Sequence, residues 1–345
     1  MDILLTATLN RSLFVNGLNQ NIIFLAEMLK DMGHNVSICV NHEVEDCVDP
    51  PLGILIMEEQ EMKDYSFDFI LQTGFPLKDQ TITHAKLRNR KVKNIHVHYG
   101  NRLMTDIENC NSNKTVSLSS HMVDECWISP HYAFSIPYLE IYYNTDQVKV
   151  IPYIWEPKYM PDVRPYSPED KKNIGITEPN ISFTKNCLLP IFLTERTFRK
   201  DPESFNQLQV HCSVQFRDKA MFISLMKKLS MDLAGKIVFG PRQPMKDVLN
   251  NCNVIVSHQL YNGLNYTYLE AFYLGIPVIH NSSYMKDGGY YYNDFKIDEG
   301  SEQLHKALLT HDDYLDEYKI KSSKVIERFS PNNPSVRNRY QSILS

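Results

Sequence analysis

The sequence predicts an α/β protein made of two doubly wound, mostly parallel sheets in tandem. Three observations carry that prediction. Short apolar, β-branched runs alternate with stretches of helical period from residue 3 to residue 280, and such alternation calls for crossover connections between parallel strands. The alternation is interrupted once, at PYIWEPKYMPDVRPYSP, where five of the 18 prolines fall between residues 152 and 168. The chain's 345 residues are also enough for two domains of ordinary size.

Taken in order, residues 3–8 read as a strand, 19–32 as an amphipathic helix and 36–40 as a strand, a βαβ opening. Further strand candidates are 67–71, 94–98, 125–128 and 148–151. The proline-rich stretch has neither helical nor strand period, and its prolines cannot donate backbone hydrogen bonds. It is read as a linker, residues 156–170, between a domain of residues 1–155 and one of residues 171–324. In the second domain the spacing predicts strands at 174–181, 208–212, 236–239, 253–257 and 277–280. Helices are expected at 186–199, 216–229, after Pro244, and at 266–274. Beyond Ser301 the pattern is helical and polar, and residues 325–345 are expected to pack back onto the first domain. Two such sheets imply a cleft faced by the carboxyl ends of both.

Composition narrows the function classes. At 43% apolar and 22% charged residues the chain is globular, and no apolar stretch approaches the ~20 residues of a membrane span. MDILLTATLN has no basic region before its apolar run, so it reads as a strand and not as a signal peptide. With 36 basic and 41 acidic residues, net −5, there is no general field to attract nucleic acid or anionic lipid. The basic run HAKLRNRKVKN lacks aromatic residues and reads as a solvated helix face. Seven cysteines, odd in number and without a C-x-x-C pair, suit reduced thiols in the cytoplasm. His96 and His98 lie two apart on one strand face, but no third ligand stands at a diagnostic spacing, so no metal site is expected. The absence of Asp-x-Asp, G-x-G-x-x-G, Walker A and G-x-S-x-G patterns removes several common chemistries.

The most informative stretch is VIVSHQLYNGLNYTYLEAFYLGIPVIHNSS, residues 254–283. A strand leads through a loop holding Asn262 and Gly263 into a helix that Gly275 and Pro277 end. The N–H groups of Leu264, Asn265, Tyr266 and Thr267 would emerge at the helix amino terminus, where the macrodipole favours an anion such as a diphosphate. Glu270, one turn on, suits the paired hydroxyls of a ribose. A plain Asn-capped helix bearing one solvated Glu fits the same pattern. His258 and Gln259 follow a strand end and could touch a donor or an acceptor. In NGLNQN, residues 16–21, Gly17 permits close backbone approach while Asn16, Asn19 and Gln20 offer uncharged hydrogen bonds to sugar hydroxyls; a helix cap is the competing reading. Tyr290, Tyr291 and Tyr292 could stack on a ring or pack at a rim.

These residues carry a resemblance. Asn262-Gly263-Leu264-Asn265, then Glu270, then Gly275-Ile276-Pro277-Val278-Ile279 is similar to the nucleotide-sugar signature E-G-F-G-x-x-x-x-E followed by G-x-P-V-I. That signature belongs to GT-B-fold glycosyltransferases, particularly the retaining family-4 type. FGPRQPMKDVLNNCNVIVS upstream extends the match. The variant SHQ, NGLNY, LEA, HNS and GYYY, with NGLNQN and HYGN in the first half, resembles a little-characterised bacterial and viral group. The resemblance implies two Rossmann-like domains, the first on the acceptor side and the second binding a nucleoside-diphosphate sugar. It implies metal-free, retaining transfer to a hydroxyl of a glycan or glycoconjugate, with no tightly bound cofactor and no nucleic-acid partner. It gives Glu270 the ribose, and Lys185 in EPNISFTKN the charge growing on the leaving diphosphate. Arg242 in GPRQP would compensate for the family's Arg, which is missing near Asn180 and Ser182. Asn262 stands where the family has a Glu near the transferred sugar, and His98 and Asn101 of HYGN match donor-sugar contacts. Two rivals are a nucleotide-sugar epimerase of the same fold, whose acid and base groups the motifs supply poorly, and an inactive sugar-binding module, suggested by Asn262.

Overall fold

The computed structural model describes residues 1–13, 17–48, 50–111, 122–160 and 163–345. The chain forms two compact units, Met1–Tyr159 with Arg328–Ser345, and Met160–Glu327.

The first unit is a seven-stranded parallel sheet of β1 (Asp2–Ala7), β2 (Asn35–Val40), β3 (Leu55–Glu58), β4 (Phe69–Gln72), β5 (Lys93–His98), β6 (Glu125–Ile128) and β7 (Val148–Val150). Their order is β3-β2-β1-β4-β5-β6-β7. Its helices are α1 (Gly17–Asp31), α2 (Asp79–Arg88), α3 (Arg102–Cys110) and α4 (Ile136–Tyr143). Five of the six β1 residues are buried, because helices cover both faces of a parallel sheet and its central strands become continuously apolar. The spacing did not predict β3, a short edge strand of four residues whose Leu55 stays exposed.

Strand order reverses between β1 and β4, and in this unit the reversal point is closed by backbone. Thr6 Oγ1 accepts the N–H groups of Thr73 and Gly74 at 3.0 and 3.2 Å and donates to Phe75 O at 2.8 Å. A Cβ on Gly74 would lie 2.8 Å from Ala7 Cα and 2.9 Å from Thr6 O. Gly74→Ala is therefore expected to destabilise this unit by about 1–3 kcal/mol, read as a fall in melting temperature; an unchanged value would mean that the turn relaxes.

The second unit is also parallel throughout: β8 (Asn173–Ile176), β9 (Gln207–Val210), β10 (Ile237–Phe239), β11 (Val254–Val256), β12 (Val278–His280) and β13 (Tyr290–Tyr291), in the order β10-β9-β8-β11-β12-β13. Its helices are α5 (Leu188–Lys200), α6 (Ala220–Met226), α7 (Ser230–Leu233), α8 (Met245–Asn251), α9 (Tyr266–Leu274), α10 (Ile297–Thr310) and α11 (Leu315–Glu327). The core is formed by Ile174, Ile176, Leu193, Leu208, Val254 and Ile279 among others.

Three expectations change here. The helix expected over 216–229 is shortened to α6, after a turn at Val214–Phe216, and the separate helix α7 begins just beyond its expected end. The buried Glu195 carboxylate accepts the N–H groups of Ser230 and Met231 at 2.7 and 3.0 Å, which starts α7 afresh. The strand expected over 174–181 stops at Ile176, because Pro179 and a left-handed Asn180 (φ 55°) turn the chain. Tyr290 and Tyr291 form the edge strand β13 beside β12 and Tyr292 is buried, so the tyrosine run builds the sheet and its flank.

The last helix, α12 (Pro334–Leu344), belongs to the first unit. There the Tyr340 hydroxyl donates to Pro152 O at 2.9 Å and the Arg339 guanidinium donates to Val150 O at 3.0 Å. Among the described residues no helix is long and apolar enough to cross a membrane.

Candidate functional site

In the second unit, strand order reverses between β8 and β11, and open α/β sheets bind ligands beyond the carboxyl ends of the strands at such a point. Here side chains meet. The loop after β8 carries Glu178, only 1% exposed. Its carboxylate accepts a short hydrogen bond from the Ser257 hydroxyl and, at 3.1 Å, one from Gln259 Nε2. Ser257 Oγ in turn lies 2.7 Å from Tyr268 Oη. Asn262 Nδ2 donates to Gln259 Oε1 and, at 3.3 Å, to Leu264 O. A run of amides beginning at Asn262 thus ends on one acidic acceptor.

Lys185 stands over the same point. The loop carrying it folds on itself through Asn180 N–H to Lys185 O (3.1 Å) and Lys185 N–H to Ser182 O (3.2 Å), and joins the loop after β11 through Leu260 N–H to Thr184 O at 2.8 Å. Burial lowers the Lys185 pKa, and the nearby Glu178 charge acts against that fall. Burial likewise raises the Glu178 carboxyl to about 7 despite its donors. Asn180 is committed to the fold, with Oδ1 accepting from Cys187 N–H at 2.8 Å and Nδ2 donating to Glu178 O and Cys212 O, both at 3.0 Å.

The loop from Gln259 to Asn265 is held from β12. Asn281 accepts the Gln259 N–H and donates to Gln259 O, both at 3.0 Å, and the Ser282 hydroxyl donates to Gly263 O. Tyr261 sits in this loop in the left-handed region, at φ 51° and 62% exposed, a conformation that an aromatic residue keeps only where its surroundings enforce it. Asn265 caps α9, its Oδ1 accepting the Thr267 N–H at 3.1 Å. That bond corrects one expectation: the Thr267 N–H is satisfied by the cap and does not point at a ligand. The N–H groups of Gly263, Leu264 and Asn265 have no acceptor among the described residues. Tyr266 is buried in the first turn of α9.

Glu270 follows one turn along α9 and is 8% exposed. Its carboxylate makes no hydrogen bond or ion pair among the described residues, and burial alone raises its pKa from 4.5 to about 7. A carboxylate with no partner among the described residues can accept hydrogen bonds from a ligand.

Of the other described residues singled out by sequence, Arg242 and His258 belong to the second unit and the rest to the first. Arg242 is exposed on the loop after β10, where its charge acts on the Cys212 thiol. His258 is buried, with Nδ1 2.7 Å from Tyr292 Oη, and burial drops its pKa to about 4. In the first unit His98 Nε2 and His96 Nδ1 share Tyr143 Oη at 2.8 and 3.0 Å. Burial brings these imidazoles to about 3 and about 4, so both are neutral. Asn101 caps α3 by accepting Met104 N–H at 3.1 Å. Gly17 opens α1, and its carbonyl accepts from Asn21 Nδ2 at 2.9 Å. Asn19 and Gln20 turn their amide N–H groups to Thr8 O and Leu13 O at 2.8 and 2.9 Å. Asn16 lies outside the described residues. The structure therefore groups Lys185, Asn262, Gly263, Leu264, Asn265 and Glu270 on two loops and one helix of the second unit. To these it adds Glu178, Ser257, Asn281 and Ser282, which spacing does not single out as a site. Ser257, Asn281 and Ser282 stand out in the sequence only as members of the SHQ and HNS motifs.

The chain is similar in structure to the catalytic domain of starch synthase IV from Arabidopsis thaliana bound to ADP and acarbose (TM-score 0.62, 10% identity, covering 100% of this chain and 98% of that one). It is also similar to the lipopolysaccharide outer core galactosyltransferase WaaB (TM-score 0.60, 12% identity, covering 99% and 98%). A third similarity is to S. aureus TarM solved with UDP (TM-score 0.54, 15% identity), where 80% of this chain spans 55% of that one. The fold is thus that of the GT-B glycosyltransferases, with two Rossmann-like parallel-sheet domains. A comparison with curated proteins finds no match. One family model covers residues 3–344, and the chain belongs to that family, described as Protein of unknown function (DUF2827).

Proposed function

We propose that this protein is a glycosyltransferase that takes its sugar from a nucleoside-diphosphate donor held in the second unit. The observation that carries the reading is Glu270, a buried carboxylate with no partner among the described residues. The 2′- and 3′-hydroxyls of a ribose supply the two donors it lacks. The N–H groups of Gly263, Leu264 and Asn265, at the positive end of α9, then face the adjoining diphosphate. Lys185 provides the cation on which charge accumulates as the sugar–phosphate bond breaks, and Asn262 lies toward the transferred sugar. Structural neighbours solved with UDP or ADP support this reading.

The finer reading is a metal-independent transfer that retains anomeric configuration. The acceptor hydroxyl attacks on the face the diphosphate leaves. A carbon–oxygen bond to the acceptor forms as the bond to phosphate breaks, and the acceptor proton passes to the departing phosphate. The acceptor is a glycan or glycoconjugate hydroxyl. Thermal shift with UDP, ADP and GDP sugars, followed by assay of nucleoside diphosphate release in EDTA, tests this. A ligand at a hundred times its Kd stabilises by about 2.7 kcal/mol, so a rise in melting temperature and acceptor-dependent release are expected. No shift with any nucleotide overturns the proposal, and loss of release in EDTA overturns its metal-free form.

A further inference from the structure

Glu178 is the charged group that the proposed reaction does not use. It sits at the strand-order reversal of the second sheet, where a ligand would lie, and among the described residues the Lys185 charge acts on it. With Glu178 ionised, that pair is close to balanced. A diphosphate on Lys185 and the α9 amino terminus adds negative charges, with no further cation at Glu178 to offset them. Two anions sharing one cation in a low-dielectric site cannot both keep full charge without a large Coulomb cost. The diphosphate is the stronger acid.

We infer that Glu178 takes up a proton from solvent when a diphosphate occupies the site, so that donor binding is coupled to protonation of this one carboxyl group. The step adds one O–H bond at Glu178 and changes no other covalent bond. The hydrogen bonds around Glu178 allow it, because the Ser257 hydroxyl can accept from a protonated carboxyl as readily as it donates to an ionised one, and its bond to Tyr268 can run in either direction. The other titratable groups that face Glu178 are Cys187, Cys212, Tyr268 and Tyr292. Burial already holds these thiols and phenols in their protonated forms. Gln259 and the His258 backbone do not titrate. The carboxyl, poised near 7, is thus the group free to change charge.

The inference rests on the donor reading above, and its test separates the two. UDP and ADP are titrated into the full chain by calorimetry at pH 8, in two buffers of different ionisation enthalpy, which reads the protons taken up. The wild type should take up close to one proton per nucleotide, and its affinity should fall by up to about tenfold per pH unit above pH 7.5. Glu178→Gln should bind at least as tightly at pH 8, lose the uptake and lose the fall in affinity above pH 7.5. Should that variant fail to fold, the wild-type uptake and pH slope decide. Binding without proton uptake, or uptake that persists in Glu178→Gln, overturns this inference and leaves the donor reading intact. No binding of either nucleotide, with the fold preserved, overturns both.

Discussion

Replacing Glu270 with Gln is expected to abolish nucleoside diphosphate binding and, at the same time, to make the protein more stable above neutral pH. The two effects share one cause. Burial raises the folded-state pKa of Glu270 from 4.5 to about 7 with no partner to offset it, so between those values the folded chain holds a proton that the unfolded chain has released. Stability contributed at this position is therefore complete below pH 4.5 and is lost as pH rises toward 7, on the order of 3 kcal/mol in all. Gln keeps the volume and carries no charge. Its melting temperature at pH 8 should exceed wild type by about 6–12 °C for a unit of this size, with the gain vanishing near pH 4. Calorimetric titration of UDP and ADP should show at least about a hundredfold loss, since a charged acceptor of two hydroxyls contributes ~3 kcal/mol or more. A variant less stable at pH 8, or one that still binds nucleotide as wild type does, would mean that the carboxylate has a partner other than a ligand.

The second large effect is expected at Lys185. Lys185→Met keeps most of the aliphatic stem and removes the positive charge that acts on Glu178. Loss of one charge-assisted contact to a phosphate corresponds to about 1.5–3 kcal/mol, or about 10- to 100-fold in nucleoside diphosphate affinity. The loss should be confined to the phosphate end: nucleoside binding, which depends on Glu270, should change little. The same substitution should push the Glu178 carboxyl further up, because its stabilising cation is gone, and so shift the pH dependence of melting to higher pH. Equal losses for nucleoside and nucleoside diphosphate would show that Lys185 shapes the whole loop and does not serve the phosphates.

Legibility of the fold followed how local its causes are. The helix expected at 266–274 and the strand expected at 125–128 fall where the sequence put them. The helix is bounded by its own punctuation, an Asn265 cap and a Gly275 in the left-handed region at φ 79°. The start of a separate helix at Ser230, just beyond the helix expected over 216–229, had no local sign, because the carboxylate that caps it is Glu195, 35 residues earlier in the chain. Likewise β13 is a strand only because β12 lies beside it.

The candidate site divides in the same way. Glu270 and the amino terminus of α9 lie within one turn of each other, so spacing alone sets them side by side. Thr267 belonged to that set by spacing, and a side chain two residues away removes its N–H. His98 and His258 look available in the sequence, yet each is held by a tyrosine, 45 and 34 residues distant. Glu178 carried no signal, because the strand expected over 174–181 ran past it, whereas β8 ends at Ile176. Its meeting with Ser257 spans 79 residues and exists because β8 and β11 are neighbours in the sheet.

What this sequence determined unaided is the alternation of strand and helix, the break between two sheets, and one helix end with an acid a turn along it. All of these depend on residues within about a dozen positions of one another, where chain geometry fixes proximity. Strand order, and with it the charge that faces Lys185, was decided by tertiary structure alone. Strands pair by burying apolar faces that many partners could cover, and only the packed sheet selects which loops share an edge.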